Sequence, residues 1–119
     1  MYNVVKIGDK DVPMMSMASV DIFYHNIFHS DPLKEQVEAA DGADSVGFLM
    51  RMGFVMAKYA ECKDCKEMKK LNEDSYVEWL DQFDRPALYD AVADIQKTYE
   101  GQSTTDAEAK KNKDELTEE

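Results

Sequence analysis

The spacing of apolar residues changes character about a sixth of the way along the chain. Residues 4–14 read Val-Val-Lys-Ile-Gly-Asp-Lys-Asp-Val-Pro-Met, two short apolar runs flanking Gly8-Asp9-Lys10-Asp11. Such runs around a Gly/Asp turn predict a β-hairpin. Pro13 has no N–H to give a ladder, so it belongs at an edge or a strand end. From Ala18 onwards Val20, Phe23, Tyr24, Ile27 and Phe28 recur at three- and four-residue intervals, the signature of one helix face. Ser16 or Ser19 is positioned to cap that helix. His29-Ser30-Asp31-Pro32 interrupts it, with Asp31 as cap and Pro32 as first residue of a second, short helix carrying Val37, Ala39 and Ala40.

Asp41-Gly42-Ala43-Asp44 reads as a loop, with Asp44 or Ser45 as the next cap. In the helix that follows, Val46, Phe48, Leu49, Met50, Met52, Phe54, Val55, Met56, Ala57 and Tyr59 cover nearly every side, as in a helix surrounded by protein. Gly47 and Gly53 would let another backbone approach it. Residues 62–70 are polar and read as a fraying extension. Ser75 and Glu78 have capping-box spacing, and Trp79, Leu80 and Phe83 follow. Asp84-Arg85-Pro86 restarts a helix whose stripe is Leu88, Ala91, Val92, Ile95 and Tyr99, with Gly101 as its stop.

The expected fold class is therefore mainly α (α+β): one helical domain over residues 1–101 with a small N-terminal β-hairpin. Residues 102–119 hold a single large aliphatic residue, Leu116, and read as a disordered polar tail with almost nothing to bury. Truncation after Gly101 is expected to leave the melting temperature within error in a thermal unfolding scan; a large drop would show that the tail docks.

Charge narrows the range of partners. Among 119 residues, 25 Asp and Glu stand against 14 Lys and Arg, for a formal net charge of −11. Phosphate backbones and anionic membranes are met with surplus cations, so neither nucleic acid nor membrane is an expected partner. A basic protein is. Residues 1–20 contain Gly8, Asp9, Asp11 and Pro13 where a signal peptide needs an apolar stretch. Residues 46–60 carry Arg51 and Lys58 and fall short of the roughly 20 apolar residues a membrane span requires. The expected location is cytoplasmic.

Candidate chemistry is sparse. Cys62-Lys63-Asp64-Cys65 is a C-x-x-C, but it follows a long helix instead of opening one, where a helix N-terminus would lower a thiol pKa. Two unpaired cytosolic thiols are the plainer reading. His25 and His29, four residues apart, could join Cys62 and Cys65 as a two-nitrogen, two-sulfur zinc set, which makes a small zinc- or thiol-containing regulatory module the alternative function. No carboxylate pair stands out for acid–base work, and no nucleophile elbow, phosphate loop or zinc-protease motif is present. A non-enzymatic binding protein without a cofactor is expected. Of eight methionines, Met50 and Met56 read as core, whereas Met14, Met15 and Met17 suit a core or an adaptable contact surface equally.

Several segments, taken in order, resemble the tail assembly chaperones of long-tailed phages and prophages of Gram-positive bacteria. Lys6-Ile7-Gly8-Asp9-Lys10-Asp11-Val12-Pro13-Met14 resembles their opening hairpin, and Tyr24 to Phe28 followed by His29-Ser30-Asp31 their first helix. Phe54-Val55-Met56-Ala57-Lys58-Tyr59-Ala60 resembles the middle helix, Trp79-Leu80-Asp81-Gln82-Phe83-Asp84 a Trp-Leu-Asp segment, and residues 88–99 the last helix. The resemblance spans residues 4–100. It departs at His25, where Arg is common, at Met14, where Phe is common, and over residues 62–70. It implies a protein that coats the tape-measure protein before the tail tube polymerises and helps bring tail tube subunits to it. It also implies action in the host bacterial cytoplasm and absence from the mature virion, with a frameshifted longer form as a further family trait; self-association is a separate open expectation. Aromatic anchors often dominate interface energies, so Tyr24, Phe28, Trp79 and Phe83 are the expected client-binding residues. The competing expectation is that Phe28 and Trp79 are core.

Overall fold

The computed structural model describes residues 1–40, 45–62 and 65–101. They form β1 (Tyr2–Ile7), β2 (Lys10–Met15), α1 (Val20–Phe28), α2 (Pro32–Ala40), α3 (Ser45–Cys62), α4 (Cys65–Lys69), α5 (Glu73–Leu80) and α6 (Arg85–Tyr99). The chain is thus mainly helical with a two-stranded antiparallel N-terminal hairpin. No helix among the described residues is long and apolar enough to cross a membrane.

The hairpin turns at Gly8-Asp9, between Ile7 and its partner Lys10. Gly8 has φ +65° and Asp9 does not enter the positive-φ region, the pattern of a type II′ turn, which takes glycine first. Val5, Ile7 and Met14 point inward and are buried. Pro13 pairs with Val4 in a sheet whose strands are both edges, so its missing N–H costs no central ladder bond. Two side-chain hydrogen bonds help hold the hairpin and the residue that follows it to α6. Asn3 Nδ2 donates to Thr98 Oγ1 at 2.9 Å and Ser16 Oγ donates to the Tyr99 carbonyl at 3.0 Å.

α3 is the central element. Phe54, Val55, Met56 and Met52 are fully buried on it, and β2, α6, α1 and α2 all pack on it. At Gly53 a Cβ would meet the Ile95 side chain at 3.1 Å, so this glycine sets how closely α3 and α6 approach. Met56 and Met14 are core and Met50 is half-buried, whereas Met17 is exposed.

Local signals were mostly obeyed at helix ends, with three differences. Asp31 Oδ1 accepts the Leu33 N–H at 3.0 Å with Pro32 opening α2, and α6 stops two residues before Gly101. α1 ends on His29 in the left-handed region, φ 55°, a conformation in which His is enriched. Ser19, however, sits before α1 in a helical conformation and makes no side-chain cap, while the Ser16 hydroxyl is spent on Tyr99. The expected capping box of Ser75 with Glu78 is replaced by one of Asn72 with Ser75: Asn72 Oδ1 accepts the Ser75 N–H at 3.0 Å and Ser75 Oγ accepts the Asn72 N–H at 3.3 Å. Glu73 and Asp74 then fall in the first turn, where the helix dipole favours acids, and the helix starts earlier than Ser75. Residues 65–69 form a helical turn and not a frayed end, because Met68 is buried. The expected loop and the Asp44 cap, and the tail over residues 102–119, lie outside the described residues.

Candidate functional site

α2 is the element whose sequence and placement disagree. Its residues alternate polar and apolar faces, and the default is apolar inward. In the structure the polar face is inward. Glu35 and Gln36 reach back into the body, each holding a tyrosine. Leu33 and Val37, one turn apart, are both 65% exposed.

Two hydrogen-bonded knots produce this orientation. In the first, Tyr24 Oη donates to Glu35 Oε2, Arg51 Nε donates to Tyr24 Oη at 2.9 Å, and the Arg51 guanidinium closes on Glu35 Oε1 at 2.8 Å. Three helices, α1, α2 and α3, meet there. In the second, Tyr99 Oη donates to Asp21 Oδ1 at 2.7 Å and accepts from Gln36 Nε2 at 3.0 Å, joining α6, α1 and α2. A buried hydroxyl or charge must find partners or lose its hydration uncompensated. The cheapest arrangement therefore turns the polar side of α2 to Tyr24, Arg51 and Tyr99 and leaves its aliphatics outside. Burial, then the bond to Glu35, drives the Tyr24 pKa well above the ordinary tyrosine value, against the opposing pull of Arg51. Burial, then the bond to Asp21, does the same for Tyr99.

The sign of the pH effect follows. Below about pH 10, the ordinary tyrosine value, both states keep these protons and the knots contribute fully. Above it the unfolded chain releases protons that the folded chain retains, so stability falls as pH rises. The slope is expected to reach about 1.4 kcal/mol per pH unit for each tyrosine. Denaturant unfolding across this alkaline range should show it, with Tyr99→Phe flattening the slope; identical slopes in wild type and variant would remove Tyr99 as a cause.

Outside this polar seam, Ile22 of α1, 62% exposed, faces Leu33 across a shallow cleft of about 250 Å³. Asp21, His25, Asp31 and Pro32 complete its lining. A second cleft, of about 350 Å³, lies on another side of α2 between Glu35, Arg51, Tyr76 and Val77. The outer face of the hairpin is also apolar at one end, where Tyr2 and Val4 are exposed.

The structure brings the four expected client-binding residues together, with Tyr24 and Trp79 in the interior. Tyr24 is 0% and Trp79 3% exposed. Tyr24 packs at a tilt against Phe28 at 5.0 Å between ring centroids, Phe28 meets Phe54 at 6.3 Å, Phe54 meets Trp79 at 5.8 Å, and Trp79 meets Phe83 at 5.0 Å. Phe28 and Phe83 are half-buried, and the Lys10 ammonium lies over the Phe83 ring at 5.4 Å. In this conformation Tyr24 and Trp79 hold helices together and present nothing to a partner. Large rings offer the most area to bury, and the interior takes them first.

His25 and His29 are exposed on and just after α1, and Cys62 packs half-buried against the core at the end of α3. Among the described residues no three His, Cys, Asp or Glu are gathered closely enough to hold a metal ion. No family model, curated protein or solved structure matches this chain. Sequence reasoning missed Ile22, Leu33 and Val37. The available signal was the i, i+4 pair Leu33 and Val37 on a helix too short to be buried all round. Which way that pair faces depends on Tyr24, Arg51 and Tyr99, all distant in sequence.

Proposed function

We propose that this protein is a phage tail assembly chaperone, a non-enzymatic binding protein that keeps the tape-measure protein soluble and helps recruit tail tube subunits during tail morphogenesis. The reading rests on the ordered series of segments at residues 6–14, 24–31, 54–60 and 79–84. What the fold adds is compatible with stoichiometric binding. The hairpin, α1, α3 and α5, which carry those segments, share one core. Tyr24, Glu35, Arg51 and Tyr99, the polar groups where α1, α2, α3 and α6 meet, are engaged with one another or with Asp21 and Gln36, so their chemistry is spent on architecture. Aliphatic side chains remain on the surface of an acidic body, a combination suited to covering apolar client segments while like charge keeps the complexes dispersed.

On this reading a very long coiled-coil reading frame lies directly downstream of the gene. The test is co-expression of that protein with and without this chain, scoring its soluble fraction. The long protein should be recovered soluble, and in complex, only when this chain is present. Equal solubility in both cases, with no complex, would sink the proposal.

A further inference from the structure

The geometry points to the outward face of α2 with the adjoining side of α1, centred on Ile22, Leu33 and Val37, as a docking site for an amphipathic helix whose apolar stripe is flanked by Lys or Arg. This deepens the chaperone reading and rests on it for the identity of the client. The surface itself follows from the packing. α2 is seated by Glu35 and Gln36, so its exposed aliphatics are a consequence of where its polar side chains are held, not of loose folding. Ile22 lies across the cleft from Leu33, and Val37, at i+4 from Leu33, is exposed one turn further along α2. Together they make a short apolar strip, against which a helix would lay apolar residues at i, i+3, i+4 and i+7.

Charge selects among the occupants. Asp21 and Asp31 line the cleft and Glu38 is exposed beside Val37; Lys34 is the one nearby cation on α2, and His25 faces the cleft from α1. A client helix with basic flanks would meet an acidic rim, and complementary rims favour encounter and register. A second copy docking the same patch would set Asp21 and Asp31 against their own counterparts, which like-charge contact opposes. The chain's own residues 102–119 offer one large aliphatic, Leu116, and six acids against three lysines, too little apolar surface and the wrong charge.

The test uses the full chain and a short fluorescent peptide, apolar at i, i+3, i+4 and i+7 with Lys flanks, alongside the same peptide with Glu flanks. Leu33→Gln/Val37→Gln alters only exposed side chains, so its thermal unfolding should match wild type. Anisotropy titration should show the Lys-flanked peptide bound by wild type and weakened roughly tenfold or more by the double variant. Val4→Gln on the hairpin should leave that affinity unchanged, and the Glu-flanked peptide should bind far more weakly. Four results would each overturn the assignment: no binding by wild type, equal binding by the double variant, equal binding of both peptides, or a wild-type dimer that the double variant dissolves. Tighter peptide binding after removal of residues 102–119 would overturn it too, since the tail would then be the occupant. The co-expression assay separates this surface from the functional reading. Solubilisation that survives Leu33→Gln/Val37→Gln sinks the surface alone, whereas failure of wild type to solubilise sinks the chaperone reading alone.

Discussion

Trp79→Ala is expected to lower the unfolding free energy by about 3–5 kcal/mol, a large share of the about 5–15 kcal/mol that holds a typical domain together. Trp79 is buried and sits edge-on to Phe54 at 5.8 Å and to Phe83 at 5.0 Å. Removing the indole leaves a void between α3 and α5, because Phe54 is itself held by Phe28 and Tyr76 and cannot fill the space. The loss combines the transfer energy of the ring with the cost of a cavity that collapses only in part. Denaturant titration of the isolated variant would measure it. Trp79→Phe keeps most of the apolar volume and should recover much of the loss. If Trp79→Ala unfolds at the wild-type midpoint, the indole is not core, and the aromatic chain from Tyr24 to Phe83 needs another account.

Arg51→Ala should destabilise the fold by about 1–3 kcal/mol, below the roughly 3–5 kcal/mol of a fully buried pair, because the Arg51 and Glu35 side chains keep some solvent contact. The charge lost is only part of the effect. Glu35 would retain a half-buried carboxylate with Tyr24 Oη as its remaining neighbour in the knot, and α2 would lose its ion-paired anchor to α3. Arg51→Lys should not restore stability, since one ammonium cannot donate to Tyr24 and Glu35 in the geometry of the guanidinium fork. A double-mutant cycle with Glu35→Ala should give a coupling energy of about 0.5–3 kcal/mol, as directly bonded partners do. Additive losses would mean that the pair contributes nothing as a pair. The same variants should loosen α2 and, through it, the Leu33 and Val37 face, so peptide affinity is expected to fall together with stability.

The two polar knots make α2 a helix held by hydrogen bonds more than by burial. Pro32 alone among its residues is buried. Burial is non-directional, whereas a hydroxyl bonded to a carboxylate fixes distance and angle. That distinction explains how a short helix of modest apolar content keeps a defined face toward solvent, and why the loss of one bond in either knot should register both in stability and at the surface.

Much of the fold is legible from local pattern alone. The change of period near residue 18, a turn within Gly8-Asp9-Lys10-Asp11, the Asp31-Pro32 helix start and the nearly all-round apolar character of α3 each specify an element through nearest neighbours, and the structure contains all four, with the turn tightened to Gly8-Asp9. Local pattern also misled. Ser75 and Glu78 had capping-box spacing, but Asn72 stood earlier with two acids behind it, and the residue that closes a helix end first is the one that caps it. Met68 anchored a segment that reads as polar. For the candidate site the reading was weaker. Aromatic density pointed to Tyr24, Phe28, Trp79 and Phe83, yet density alone cannot separate a ring that fills a core from one that awaits a partner, since both burials draw on the same apolar area.

The sequence by itself determined that the chain is acidic, mainly helical with an N-terminal hairpin, and built around a helix apolar on nearly every side, because hydrophobic period, turn residues and charge act locally or by simple sum. Only the tertiary structure decided which apolar residues remain outside. Tyr24 needs Glu35 and Arg51, and Tyr99 needs Asp21 and Gln36, partners 11 to 78 residues apart in the chain. Satisfying those buried hydroxyls turned α2 so that Leu33 and Val37 face the solvent, a choice that no spacing within α2 could have expressed.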